Sequence, residues 1–145
     1  MKRLFIVIAI VATATFAACN SQKNNTEMLT GHEWLLDEVV FDGDEFTETP
    51  PAGVTIMFAD TTNRVSGNGG CNGYFGTYTV TGDDKIKIGP LASTLMACPN
   101  MEFEGKYFKW LEAVDKFEAE ENSLRLKATS EKATLVYKPV LKAVQ

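Results

Sequence analysis

Phe75-Gly76-Thr77-Tyr78-Thr79-Val80-Thr81-Gly82-Asp83-Asp84-Lys85-Ile86-Lys87-Ile88 is the stretch whose reading decides how this chain folds. Phe75 to Val80 is mostly β-branched and aromatic, Gly82-Asp83-Asp84 supplies turn chemistry, and Lys85 to Ile88 alternates charge with isoleucine. Extended residues on both sides of a tight turn, with period two after it, mark half-buried antiparallel strands. The same signals recur outward from it. Upstream, Val54, Ile56 and Phe58 alternate with Thr55 and Met57, and Glu33 to Phe41 is another β-rich run, closed by Asp42-Gly43-Asp44. Asp60 to Asn63 turns the chain, and Arg64-Val65-Ser66 resumes it. Downstream, Phe117 and Ala119 pair with Leu124 and Leu126 across Glu121-Asn122, and Ala133 to Tyr137 ends at Pro139, which cannot continue a ladder.

One segment departs from period two. Between Asn100 and Val114, Phe103, Tyr107, Trp110, Leu111 and Val114 recur at three- and four-residue intervals. Glu102, Glu104, Lys106, Lys109 and Glu112 lie opposite them. An amphipathic helix fits, with Asn100 as N-cap and Glu102–Lys106 in the favourable i, i+4 order. The expected fold class is therefore mainly β (α+β): a compact antiparallel sheet of short strands with one amphipathic helix packed on it.

The chain opens with Met1-Lys2-Arg3 and an apolar and small-residue run from Leu4 to Ala18, ending Phe16-Ala17-Ala18-Cys19. A charged start, a short apolar middle and small residues before a cleavage point are the parts of a secretory signal. As a helix the run would span roughly 22 Å, short of the ~30 Å hydrocarbon core. Phe16-Ala17-Ala18-Cys19 resembles the lipobox of bacterial lipoproteins, with Phe16 where Leu is usual. Residues 1–18 are thus expected to be a cleaved signal peptide, and Cys19 the lipidation site and membrane anchor. Residues 19–28 then form a lipidated cysteine and flexible tether, because Asn20 to Glu27 contains no apolar residue. A globular domain over 29–140 follows.

Cleavage moves the formal charge from −5 to −7 and leaves 127 residues, enough for one domain. An acidic domain without a basic stripe is a poor partner for nucleic acid. Once the lipid takes Cys19, Cys71 and Cys98 remain, either as a disulfide in a permissive compartment or as two buried thiols.

Tests for chemistry come back empty. The segment Gly67-Asn68-Gly69-Gly70-Cys71-Asn72-Gly73-Tyr74-Phe75-Gly76 has no lysine for a P-loop and the wrong glycine spacing for a dinucleotide loop. It reads instead as bulges or close backbone packing. His32 is the only histidine, too few ligands for a metal site and a poor base for a thiol nucleophile. Asp83-Asp84 and Glu120-Glu121 fall at turn tips, where solvated acids keep similar pKa values. Asp42-Gly43-Asp44-Glu45 places Phe46 where a calcium loop needs an oxygen. No catalytic residue, metal or cofactor is expected.

With these residues in view, the chain resembles, from about Leu29 to Lys138, the META-domain family, which includes heat-shock-associated bacterial lipoproteins. Trp34-Leu35-Leu36, Ile56-Met57-Phe58 and Val65-Ser66-Gly67 are similar to its strand motifs. Residues 70–78, from Gly70-Cys71-Asn72-Gly73, and 91–99, ending Met96-Ala97-Cys98-Pro99, resemble its two signatures, with Leu95 where Arg is frequent. The resemblance implies a barrel-like sheet carrying one helix, a Cys71–Cys98 disulfide, no known enzyme activity, and links to envelope stress and antibiotic tolerance. Function is then expected to be a non-catalytic binding or stress-support module, lipid-anchored at the outer membrane facing the periplasm, with its protein or small-ligand partner unassigned. The alternative is a thiol-dependent envelope enzyme using Cys71.

Overall fold

Alternation in the sequence becomes alternation in burial. In the computed structural model, which describes residues 20–43 and 46–141 (side chains from residue 25), helix α1 spans Asn20–Leu29. Strands β1 (Glu33–Phe41), β2 (Thr47–Glu48), β3 (Val54–Phe58), β4 (Arg64–Gly69), β5 (Gly73–Thr81), β6 (Lys85–Ile88) and β7 (Ala92–Ser93) follow. Then come helix α2 (Met101–Ala113), β8 (Lys116–Glu120), β9 (Ser123–Ala128), a single 3-10 turn at Thr129–Glu131, and β10 (Ala133–Pro139). In β3 Val54, Ile56 and Phe58 point inward, and in β6 Ile86 and Ile88 do.

Eight strands close a barrel in the order β1-β3-β4-β5-β6-β8-β9-β10, every neighbour antiparallel, with β10 returning to β1. The short β2 and β7 attach to β1 and β5. The Phe75–Ile88 stretch is the β5–β6 hairpin, registered Tyr78↔Ile88 to Thr81↔Lys85. Phe117↔Leu126 and Ala119↔Leu124 pair as the sequence pattern indicates. The interior is filled by Trp34, Ile56, Phe58, Leu124, Leu126 and Leu135, all fully buried. Burying side chains of this size is worth about 1.5–3 kcal/mol each, the main term holding the barrel shut.

Helix α2 touches β4, β6, β9 and the 3-10 turn, strands far apart around the barrel, so it lies across one mouth. Phe103, Tyr107, Trp110 and Leu111 face inward. Its rim contacts are ionic: Lys106 reaches Glu48 at 3.6 Å and Glu102 at 3.5 Å, and Lys109 reaches Glu131 at 3.5 Å. Asn100 occupies the N-cap position, but its side chain makes no capping bond; its carbonyl accepts from the Glu104 N–H at 3.0 Å.

One expectation is corrected. Residues 19–28 were expected as a flexible tether, but Asn20–Leu29 is helical and lies against β8. The reason is non-local: Asn25 accepts a hydrogen bond from the Ala119 N–H at 2.8 Å and donates one to the Asp83 carbonyl at 2.9 Å. The glycine-rich segment forms the β4–β5 hairpin, turning at Gly70-Cys71-Asn72, and shows the close backbone packing expected of it: a Cβ on Gly67 would collide with the Thr55 carbonyl oxygen. The signal segment 1–18 and Cys19 lie outside the described residues. Among the described residues no helix is long and apolar enough to cross a membrane.

Candidate functional site

The β4–β5 turn is built by residues that only a tight turn requires. Asn68 Oδ1 accepts from the Gly70 N–H at 2.7 Å, the Gly69 N–H bonds the Asn72 carbonyl at 2.9 Å, and Gly70 sits at φ +103°. That backbone is open to glycine and strained for other residues. The result aims two successive amides at α2. Glu104 Oε2 accepts from the Cys71 N–H at 3.1 Å and from the Asn72 N–H at 2.6 Å.

Asn72 completes the knot. Its Nδ2 donates to Glu104 Oε1 at 2.6 Å and to the Met96 carbonyl at 3.1 Å. Its Oδ1 accepts from Thr94 Oγ1 at 2.8 Å and from the Met96 N–H at 2.7 Å. Both donors and the acceptor of the carboxamide are thus used. A Cβ on Gly69 would stand 2.8 Å from Glu104 Cγ, so the hairpin needs glycine there for the carboxylate to fit. Cys71 and Cys98 are bonded as a disulfide, Cα atoms 5.9 Å apart, inside the ~7 Å limit for such a bridge. Hairpin, the 94–98 segment and the first turn of α2 are therefore tied by one covalent bond and one polar knot.

The helical pattern placed Glu104 on the polar face, yet it is 5 % exposed and Asn72 2 %. A buried carboxylate is costly unless its oxygens are hydrogen-bonded, and here the hairpin amides do this. The signal that could have found it was the hairpin's own need: two inward amides require an acceptor.

Behind the knot, three tyrosines cross the interior. Tyr74 donates to the Thr55 carbonyl at 2.9 Å, and Tyr107 Oη lies 3.1 Å from both Tyr74 Oη and Tyr137 Oη. Burial pushes the Tyr107 phenol up to about 12, with its hydrogen bonds to Tyr137 and Tyr74 pulling the other way; burial raises Tyr74 and Tyr137 well above the ordinary value too. Among the described residues no buried side-chain nitrogen or oxygen lacks a partner.

The other residues singled out by sequence do not join this site. His32 is exposed, its ring 5.8 Å from Trp34. Asp83, Asp84, Glu120 and Glu121 are exposed at hairpin ends, and Asp44 and Glu45 lie outside the described residues. Among the described residues no three His, Cys, Asp or Glu side chains gather as metal ligands. An open groove of roughly 1030 Å³ runs between α1 and the outer face of β8 and β9, lined by Asn25, Met28, Lys116, Arg125 and Lys127 with several acids.

Comparison with known proteins is consistent with this architecture. The family model described as META domain matches residues 27–140. A search of curated proteins returned no match. Among solved structures, an NMR structure of a protein from Burkholderia xenovorans is similar, with TM-score 0.67 and 24 % identity, covering 81 % of this chain and 87 % of that one. A crystal structure of a DUF4847-family protein from Bacteroides vulgatus is also similar, with TM-score 0.59 and 14 % identity, covering 77 % and 94 %. At these identities the likeness speaks to fold alone.

Proposed function

The chain belongs to the META-domain family, and from that premise we propose that it is a lipid-anchored envelope protein whose barrel is a non-catalytic binding or stress-support module. The observation that carries the anchor is the apolar run ending Phe16-Ala17-Ala18-Cys19, directly before a domain that begins within a dozen residues. Lipidation with more than one acyl chain holds a protein to a bilayer where a single chain is marginal. The non-catalytic part is supported by how Glu104 and the signature residues spend their chemistry. Glu104 and Asn72 direct their polar atoms at the hairpin and the 94–96 segment, and Cys71 is bonded to Cys98, so it offers no thiolate.

Replacing Cys19 with Ser tests the anchor. The variant should fold and lose its tight membrane association; a Cys19→Ser protein that still fractionates with membranes after salt extraction overturns the lipoprotein reading. Thiol trapping on protein from the native envelope tests the rest. A bonded pair should resist alkylation, and a reactive Cys71 thiol would restore the enzyme reading.

A further inference from the structure

Helix α1 has no intrinsic reason to be a helix. It is 10 residues long, NSQKNNTEML, with three asparagines, no acid in its first turn and no base in its last. Isolated helices below about 12–15 residues are marginal in water, and asparagine favours caps and turns over helix interiors. Its order comes from where it docks.

That place is the weakest join of the barrel. β6 and β8 share a single rung, Lys85↔Lys116, continued by the Phe117 N–H to the Asp84 carbonyl at 2.8 Å and the Ile86 N–H to the Asp115 carbonyl at 3.2 Å. The rung sets two ammonium groups opposite each other, an arrangement that weakens a pair of strands. Past it, the Ala119 amide has no strand beside it, and the Asn25 carboxamide takes the missing strand's role by bonding both Ala119 and Asp83. The other end of α1 is held by burial: Leu29 is fully buried, its carbonyl accepts from Trp34 Nε1 at 3.1 Å, and Thr30 bridges Phe58. A marginal helix is thus fixed at its C-terminus and bridged to the seam by a side chain midway along it.

We propose that α1 is a releasable strap over the β6–β8 seam, and that its docking sets how far the barrel stands from the membrane. The spacer role rests on the lipid-anchor reading, which attaches the bilayer at the residue before α1. With Leu29 held in the core, the nine residues before it span about 13 Å docked and about 30–32 Å released and extended. Release therefore adds roughly 17 Å of reach with Leu29 still in the core and no change in the barrel.

Two measurements test this. In the full chain carrying Cys19→Ser, Asn25→Ala should make the Ala119 amide exchange about tenfold faster, the ratio one hydrogen bond sets, while the Tyr137 amide is unchanged. Asn25→Asp keeps the acceptor for Ala119 and loses the donor to Asp83, so it should fall between. In the lipidated chain on phosphatidylethanolamine–phosphatidylglycerol vesicles with dansyl-labelled headgroups, energy transfer from Trp34 and Trp110 should drop in Asn25→Ala. Unchanged exchange at Ala119 overturns the strap; freed Ala119 with unchanged transfer overturns the spacer role. A lipidated chain that does not partition to vesicles overturns the anchor reading and the spacer role with it, while the exchange measurement still decides the strap.

Discussion

The two ends of α2's neighbourhood and of α1's make an instructive pair. At the α2 mouth, hairpin, loop and helix are joined by a disulfide, by a carboxylate that takes two backbone amides and by a carboxamide that uses every valence. At the β6–β8 seam, one rung of opposed lysines and one asparagine do the joining. Both regions solve the same problem, backbone groups with no strand beside them. The first solves it with buried, charged and covalent partners, and the second with a half-buried carboxamide. Hydrogen bonds to buried charges are worth about 1.5–3 kcal/mol, ordinary ones about 1. The difference predicts that the α2 mouth opens only with global unfolding and the seam opens locally.

Substitution at Glu104 should break the comparison hardest. Glu104→Ala leaves the Cys71 and Asn72 amides without their acceptor, at a cost of about 3–4 kcal/mol, because buried unsatisfied groups cost about 1–3 each. Thermal melting should fall on the order of 15 °C. The Cys71→Ser, Cys98→Ser double variant should lose about 3 kcal/mol, the effect of opening a loop of this length, seen as a melting shift on the order of 10 °C.

How much of this was legible beforehand differs by region. Strands β3, β5, β6, β8 and β9 are written in local alternation, and the α2 stripe of Phe103, Tyr107 and Trp110 in local spacing, so sequence pattern suffices for them. Glu104 and Asn25 are not readable in that way. Glu104 meets amides 32 and 33 residues away, and Asn25 meets an amide 94 residues away. Nothing in the spacing around either residue encodes that partner. The tyrosine chain was half visible: Tyr107 falls on the helix stripe, but its alignment with Tyr74 and Tyr137 depends on barrel closure.

Alkaline titration sharpens the contrast from inside. Tyr107 is neutral in the fold and holds its proton up to about pH 12, against about 10 unfolded. Its folded value is raised, so the stability it contributes is full below pH 10 and is lost as pH climbs through 12. The Tyr107 share of the unfolding free energy should fall by about 2–3 kcal/mol across that window, on top of losses from the likewise raised Tyr74 and Tyr137, measured by denaturant titration at each pH. Tyr107→Phe should make this slope shallower by the Tyr107 share, leaving what Tyr74 and Tyr137 contribute.

The smallest effect belongs to the seam. Lys116→Glu converts the opposed lysines into an attractive pair with Lys85 and should stabilise by about 0.2–1 kcal/mol. The gain should shrink with added salt, since both positions are exposed. A destabilised Lys116→Glu protein would show that the seam is not limited by charge.

The pairing of β1 with β10 has one more consequence. Trp34 sits opposite Pro139, and the Val140 amide bonds the Glu33 carbonyl at 2.8 Å. The first and last strands are therefore neighbours, and the domain is a ring that the chain happens to enter and leave at a single join. Such a ring can be re-cut: bridging residue 140 to residue 30 with a few flexible residues, and opening the chain at the exposed Glu121-Asn122 tip, leaves every strand beside the same partners.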